Sequence, residues 1–261
     1  MEKGYQYGLL NETNDGVYVR MGKGQNIAGY PIGVVYIENV FYPIMPGNVV
    51  NAGTYPFPVR MIPVKGIDCD ELFACDEKVG AAIREACMTL MKEGVRAISG
   101  ACGFFGNYQK EIAELCSVPV ALSSLVQVPW VLATLKPTQK LAILTADAKS
   151  ITERLLDNCD ITEGMKERLV IKDLATSEHF SCVIKNRGDW DNDLARKDVV
   201  GKAVEAVSGA EEIGAILLEC SDMPPYAAAV QRETGLPVFD FITLIKWLHS
   251  SVAQRPYEGF I

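Results

Sequence analysis

Val95-Arg96-Ala97-Ile98-Ser99-Gly100-Ala101-Cys102 and Ile213-Gly214-Ala215-Ile216-Leu217-Leu218-Glu219-Cys220 decide the fold of this chain. Each is an apolar run that ends in a cysteine, and the two cysteines are 118 residues apart. The same offset relates Tyr108 to Tyr226, Pro119 to Pro237 and Val120 to Val238, without a gap. A shared register of this kind marks a duplicated α/β unit. Each copy carries one thiol at the carboxyl end of a strand, the end where open α/β sheets bind ligands.

Working outward, the alternation of strands and helices predicts a mostly parallel sheet in each half. Ile32 to Ile37 and Val59 to Val64 read as buried strands of the first half, and Leu141 to Thr145 as the strand that opens the second. Val79, Ile83, Ala86 and Leu90 recur at helical spacing between about Cys75 and Lys92, and Gly94 is placed as the stop. After Cys102, Asn107 is a candidate helix cap; after Cys220, Ser221 or Asp222 caps and Pro224-Pro225 suits the first helical positions. Gly235 ends that helix. A helix is expected over Ser150 to Leu156 and another over Thr243 to Val252. The long stretch with Pro43, Pro46, Gly47, Asn48, Gly53, Pro56 and Pro58 is irregular, and loops of that length are often functional. The expected division is an extension over 1–31, a first α/β domain over 32–136 joined by the C-terminal helix of 243–261, and a second α/β domain over 137–242.

Composition bounds the function. The chain has 261 residues, 49% of them hydrophobic, and a formal net charge of -8. That charge argues against nucleic acid or an anionic membrane as a general partner. No uninterrupted apolar stretch is long enough to span a bilayer, and Met1 to Gln6 lacks a basic-then-apolar leader pattern. Eight cysteines without a Cys-x-x-Cys pair argue against structural zinc. Free thiols in a reducing cytoplasm are the expectation. Cys69, Cys75, Cys87, Cys116, Cys159 and Cys182 read as small buried hydrophobes, and His179 and His249 as structural residues.

Cys102 and Cys220 are different. A thiolate at a helix N-terminus is stabilised by the dipole and by free N–H groups. Two thiols facing each other across a cleft can take a proton from one face of a carbon and return one to the other face, without metal or organic cofactor. Thiols of ordinary pKa, about 8.5, must be tuned for that work.

On these two cysteines, the duplicated halves, Ser117-Val118-Pro119-Val120, Gly235-Leu236-Pro237-Val238 and Leu141-Ala142-Ile143-Leu144-Thr145, the chain resembles the aspartate/glutamate racemase superfamily. Its members include aspartate, glutamate and hydantoin racemases, maleate isomerase and arylmalonate decarboxylase. The resemblance covers about residues 32 to 250. It implies two pseudo-symmetric parallel-sheet α/β domains with the active site in the cleft between them. It further implies a cofactor-independent isomerase, a small carboxylate substrate, Cys102 and Cys220 as the acid/base pair, and a homodimer. Racemases of this superfamily carry Asn-Thr after the first cysteine and Thr after the second. Here Gly103-Phe104 and Ser221-Asp222 stand there, which suggests a more apolar pocket. Gly103, Phe104, Ser221 and Asp222 are the expected substrate contacts. Thr145, Asp147 (for a substrate ammonium), Asn39 and Thr54 are added from neighbouring loops. The leading expectation is a racemase or epimerase of an amino acid or related carboxylate. A decarboxylase or cis-trans isomerase of a dicarboxylate, a non-catalytic binding relative and a thiol redox protein are the alternatives.

Overall fold

Apolar runs of four to six residues form the strands of two parallel sheets. The computed structural model describes residues 23–67, 76–209, 211–255 and 257–261. Most of the expected N-terminal extension, together with Cys69 and Cys75, therefore lies outside the described residues. Strands β1 (Ile32–Ile37), β2 (Val59–Val64), β3 (Ala97–Gly100) and β4 (Val120–Ala121) pair in the order β2-β1-β3-β4. Strands β5 (Lys140–Thr145), β6 (Leu169–Asp173), β7 (Ile213–Leu218) and β8 (Val238–Phe239) repeat that order as β6-β5-β7-β8. All pairings are parallel. The repeat expected from the shared register is thus a repeat of topology, and β3 and β7 are its equivalent inner strands.

Every residue of β3 and β7 is buried. Each fully buried Ile or Leu on them contributes about 1.5–3 kcal/mol relative to an exposed one. Ile98 and Leu122 of the first half share one apolar cluster with Leu141, Ile143, Ala215 and Leu217 of the second, so the two sheets are joined by a continuous core.

The helices are α1 (Glu77–Lys92), α2 (Gln109–Leu115), α3 (Val128–Thr134), α4 (Glu153–Asn158), α5 (Glu163–Lys166), α6 (Cys182–Lys185), α7 (Asn192–Val207), α8 (Ala227–Thr234) and α9 (Phe241–Val252). In α1, Val79, Ile83, Ala86 and Leu90 are buried along one face. Gly94 (φ +85°) and Gly235 (φ +69°) come after α1 and α8 in the left-handed conformation, where a side chain would be strained. Helix α9 starts in a capping box formed by Asp240 and Thr243. Its Phe241, Ile242, Leu244, Ile245 and Leu248 pack with Ile32, Val34, Ala97 and Ala121 of the first sheet.

Two caps differ from expectation. A 3-10 helix over Gly103–Tyr108 precedes α2, so Asn107 does not cap it; Asn107 Nδ2 donates instead to Phe104 O at 3.0 Å. Pro224 and Pro225 do begin a 3-10 helix, Pro224–Tyr226, but its N-cap is Met223 and Asp222 faces elsewhere. Strand β6 and the long helix α7 have no counterpart among the sequence expectations. Cys87, Cys159 and Cys182 are buried as expected, whereas Cys116 is partly exposed. Among the described residues no helix is long and apolar enough to cross a membrane.

Candidate active site

The carboxyl ends of β1, β3, β5 and β7 converge on one open cavity, with about 670 Å³ of empty space when its solvent-filled mouth is included. It lies where the chain crosses from one side of each sheet to the other, the place where α/β sheets open a crevice. From the first half, Tyr36 and Ile37 end β1, and Ala101-Cys102-Gly103-Phe104 extend from β3. From the second, Ala146 extends from β5, and Glu219-Cys220-Ser221-Asp222 from β7. Val40, Tyr42, Ile44, Asn48 and Val50 come from the irregular Pro- and Gly-rich stretch, and Val183 and Ile184 from α6. No lysine, arginine or histidine is among the described residues that line it.

Both cysteines therefore share one cavity, and each is partly exposed. Burial pushes the Cys220 thiol well above its ordinary value, and the negative charges of Asp222, Glu219 and Cys102 push the same way. This corrects the expectation of a dipole-activated thiolate at Cys220. Each cysteine leads into a turn and a 3-10 helix, not a long α-helix, so dehydration and neighbouring acids prevail.

Asp222 is the polar centre of the cavity. Its Oδ1 accepts from Asn48 Nδ2 at 2.5 Å. Its Oδ2 accepts from Tyr42 OH at 3.2 Å and from Ser221 Oγ and Cys220 Sγ at 3.5 Å each. Burial raises the Asp222 pKa, while these four donors oppose the shift. Tyr42 also stacks on Trp190, which fixes its ring. The Val49 N–H donates to Ser221 O at 3.4 Å, tying the loop of the first half to the strand end of the second.

Glu219 sits beside Cys220 and is 1% exposed. Its Oε2 accepts from Thr145 Oγ1 at 2.9 Å, and its Oε1 has no hydrogen-bond partner. Burial raises its pKa to about 7, with Asp147 adding to the shift and Thr145 opposing it. The carboxyl lies against the backbone of Gly103. A β-carbon at that position would overlap the Glu219 carboxyl, so glycine is required there by close approach.

Of the residues expected from sequence, Cys102, Cys220, Gly103, Phe104, Ser221 and Asp222 line the cavity together. Thr145 stands behind it and holds Glu219. Asp147 is outside the lining, and its carboxylate caps a local turn by accepting from Lys149 N–H and Ser150 Oγ. Thr54 is also outside, yet its hydroxyl donates to Asn48 O at 2.9 Å and so supports the loop that carries Asn48. Asn39 is outside the lining as well, in a left-handed conformation, and its carbonyl accepts from Asn186 Nδ2 at 3.3 Å. His249 stacks on Phe57 away from the cavity, and His179 does not line it either. Sequence reasoning missed Glu219, Tyr42 and Asn48. For Glu219 there was a signal: a carboxylate inside an otherwise apolar strand run.

No family model matches the chain. It is 30% identical over 244 residues to a dimethylsulfoniopropionate lyase of Durusdinium sp. clade D, covering 91% of this chain and 80% of that protein. It is 30% identical over 245 residues to dimethylsulfoniopropionate lyase 6 of Emiliania huxleyi (strain CCMP1516), covering 89% of this chain. The chain spans 63% of the length of that second relative. Among solved structures, allantoin racemase from Klebsiella pneumoniae matches with a TM-score of 0.61 at 16% identity, over 89% of this chain and 96% of that one. Picrophilus torridus aspartate racemase matches with a TM-score of 0.56 at 18% identity, over 88% and 96%. Unliganded arylmalonate decarboxylase matches with a TM-score of 0.53 at 18% identity, over 88% and 95%. The fold is the one these two racemases and the decarboxylase share, as the sequence resemblance implied.

Proposed function

The chain belongs to the family of dimethylsulfoniopropionate lyases, and from that membership we propose that its reaction is a β-elimination on a small carboxylate bearing a sulfonium leaving group. For dimethylsulfoniopropionate itself the products are dimethyl sulfide, acrylate and a proton. The observation that carries this reading is the Asp222 carboxyl inside a cavity whose described lining has no cationic side chain. A fixed acid held by four donors, beside the rings of Tyr36, Tyr42 and Phe104, suits a substrate cation. The apolar walls suit two methyl groups on sulfur.

In this reading Cys102, as thiolate, removes the proton from the carbon next to the substrate carboxylate. The C–H electron pair forms the new double bond, the carbon–sulfur bond breaks, and dimethyl sulfide leaves with that bond's electron pair. The proton on Cys102 then passes to solvent. Cys102 is assigned as base because Cys220 is held as a thiol by burial and by the neighbouring Asp222 carboxyl. The α-proton step is the one expected of a racemase; elimination differs in that the substrate carries a leaving group at the next carbon. It needs one base, whereas inversion needs two.

Retention of both thiols in one cavity favours a second reading, racemisation of a related carboxylate. One experiment separates the two. Purified protein and its Cys102→Ser and Cys220→Ser variants are incubated with dimethylsulfoniopropionate, and dimethyl sulfide is measured by gas chromatography; α-deuterium incorporation is tracked with a panel of amino acids in D2O. Release of dimethyl sulfide that Cys102→Ser lowers by about 10²–10⁴-fold supports the lyase. No release, with inversion of a panel member that either variant abolishes, favours the racemase. Full release by Cys102→Ser reassigns the base to Cys220.

A further inference from the structure

A carbanion next to a carboxylate delocalises into an enediolate with two negative charges at its oxygens. An enzyme must offer donors at that end of the substrate. The described cavity lining contains no lysine, arginine or histidine to do so. It does contain Glu219, which is 1% exposed and whose Oε1 has no hydrogen-bond partner. A buried, unsatisfied polar atom costs stability and calls for an explanation.

We propose that Glu219 binds the substrate as a neutral carboxylic acid, its Oε1–H donating to the substrate carboxylate and to the enediolate that forms from it. Thr145 Oγ1 occupies Oε2 at 2.9 Å, which leaves Oε1 to carry the proton. The side chain is held in place from two sides, by Thr145 and by Gly103, where a β-carbon would collide with the carboxyl. That contact sets Oε1 next to the residue directly after Cys102. The proton remains on Glu219 throughout; Cys102 accepts the proton that leaves carbon.

The surroundings favour the acid form. The titratable groups facing Glu219 are Asp147 after β5, Cys159 at the end of α4, and Cys220 beside it, with Cys102 and Asp222 lining the same cavity. None is cationic, and burial with Asp147 raises the Glu219 pKa to about 7. A neutral acid also spares Cys220 and Cys159 a neighbouring charge that would raise them further. A carboxylic acid kept neutral so that it can donate is a known device for enolate-like intermediates.

The inference rests on the lyase reading for its substrate, so its test uses a ligand as well as turnover. Propionate, an unreactive carboxylate, is titrated by calorimetry into the wild type, Glu219→Gln and Glu219→Leu at about pH 6 and about pH 8, in two buffers that differ in protonation enthalpy. The wild type should bind propionate more weakly at the higher pH and take up protons on binding there. Glu219→Gln, whose amide still donates, should bind with no such pH dependence. Glu219→Leu should bind at least 10-fold more weakly, on the order of the loss of one hydrogen bond to a charged group. Its kcat/KM for dimethyl sulfide release should fall by about 10²–10³-fold, the usual cost of one oxyanion donor. If the wild type shows no pH dependence of propionate binding and no proton uptake, or if Glu219→Leu binds and turns over like the wild type, the proposal fails. Such a failure with dimethyl sulfide still released leaves the lyase reading intact. Proton-linked propionate binding without dimethyl sulfide release upholds the role of Glu219 and refutes the lyase reading. The wild-type measurement stands even where Glu219→Leu does not fold.

Discussion

Replacing Gly103 by alanine should damage both stability and turnover, and the structure gives the size of the effect. The added β-carbon would overlap the Glu219 carboxyl and stand 3.1 Å from the Glu219 carbonyl oxygen. Glu219 has nowhere easy to go, because it is 1% exposed and its Oε2 is held by Thr145 at 2.9 Å. Moving the carboxyl away breaks that hydrogen bond inside a dry site, which costs about 1–3 kcal/mol. Moving the backbone instead shifts Cys102, and overpacking of this kind costs about 1–3 kcal/mol. The expected destabilisation is therefore about 1–3 kcal/mol, the cost of whichever route is cheaper. It is read as a lower midpoint in urea with an unchanged slope. Turnover should fall by about 10²-fold or more, since either route displaces a group at the reacting centre. A Gly103→Ala protein with wild-type urea midpoint and wild-type dimethyl sulfide release would refute the packing of Glu219 on Gly103 and the reasoning built on it.

Other contacts give further expected outcomes. Asp222→Asn keeps an oxygen that can accept from Asn48 and places an Nδ2 that can donate to the Tyr42 hydroxyl, but removes the charge; KM for a sulfonium substrate should rise by about 10-fold or more, while affinity for propionate should not fall, and an unchanged KM would count against a cation site at Asp222. Glu219 is raised from 4.5 to about 7 in the folded protein, so the folded state binds the extra proton and stability falls as pH rises between those values, by about 3 kcal/mol in full. Urea unfolding of wild type and Glu219→Gln should accordingly diverge over that pH range and run parallel above it; parallel curves throughout would contradict the shift. Asp240→Ala removes the capping box that starts α9, where Asp240 Oδ1 accepts from Thr243 N at 2.7 Å, and should cost about 1–2 kcal/mol by thermal or urea unfolding, without loss of activity per folded molecule.

Much of this architecture was legible because burial writes directly into sequence. Strand β7 is buried at every position, so its residues form an unbroken apolar run, and the offset that relates it to β3 reveals the repeated topology. The placement of Gly94 and Gly235 was legible because only glycine enters a left-handed turn without strain. Strand β6 left no such trace: most of its residues are half-buried and Ile171 is exposed. Helix α7 was equally silent, since the residues it buries are mainly alanines with Val199, too small to stand out as an apolar stripe. At the site, the two cysteines and their neighbours could be read from their places at strand ends. The partners of Asp222 could not, because Tyr42 and Asn48 are 180 and 174 residues away and meet it only after folding. Asp147 shows the opposite error. A carboxylate after a strand suits a ligand, but a local turn of two donors claims it first.

The central claim, that this cavity removes a proton from the carbon next to a carboxylate and thereby expels a sulfide, is tested most directly with dimethylsulfoniopropionate deuterated at that carbon. Mass spectrometry of the acrylate and the rate of dimethyl sulfide release are measured against the unlabelled substrate. The account predicts acrylate that retains one of the two deuterium atoms, slower release from the labelled substrate, and loss of both products in Cys102→Ser. Formation of a hydroxypropionate in place of acrylate, acrylate that keeps both deuterium atoms, or no dimethyl sulfide at all would contradict it.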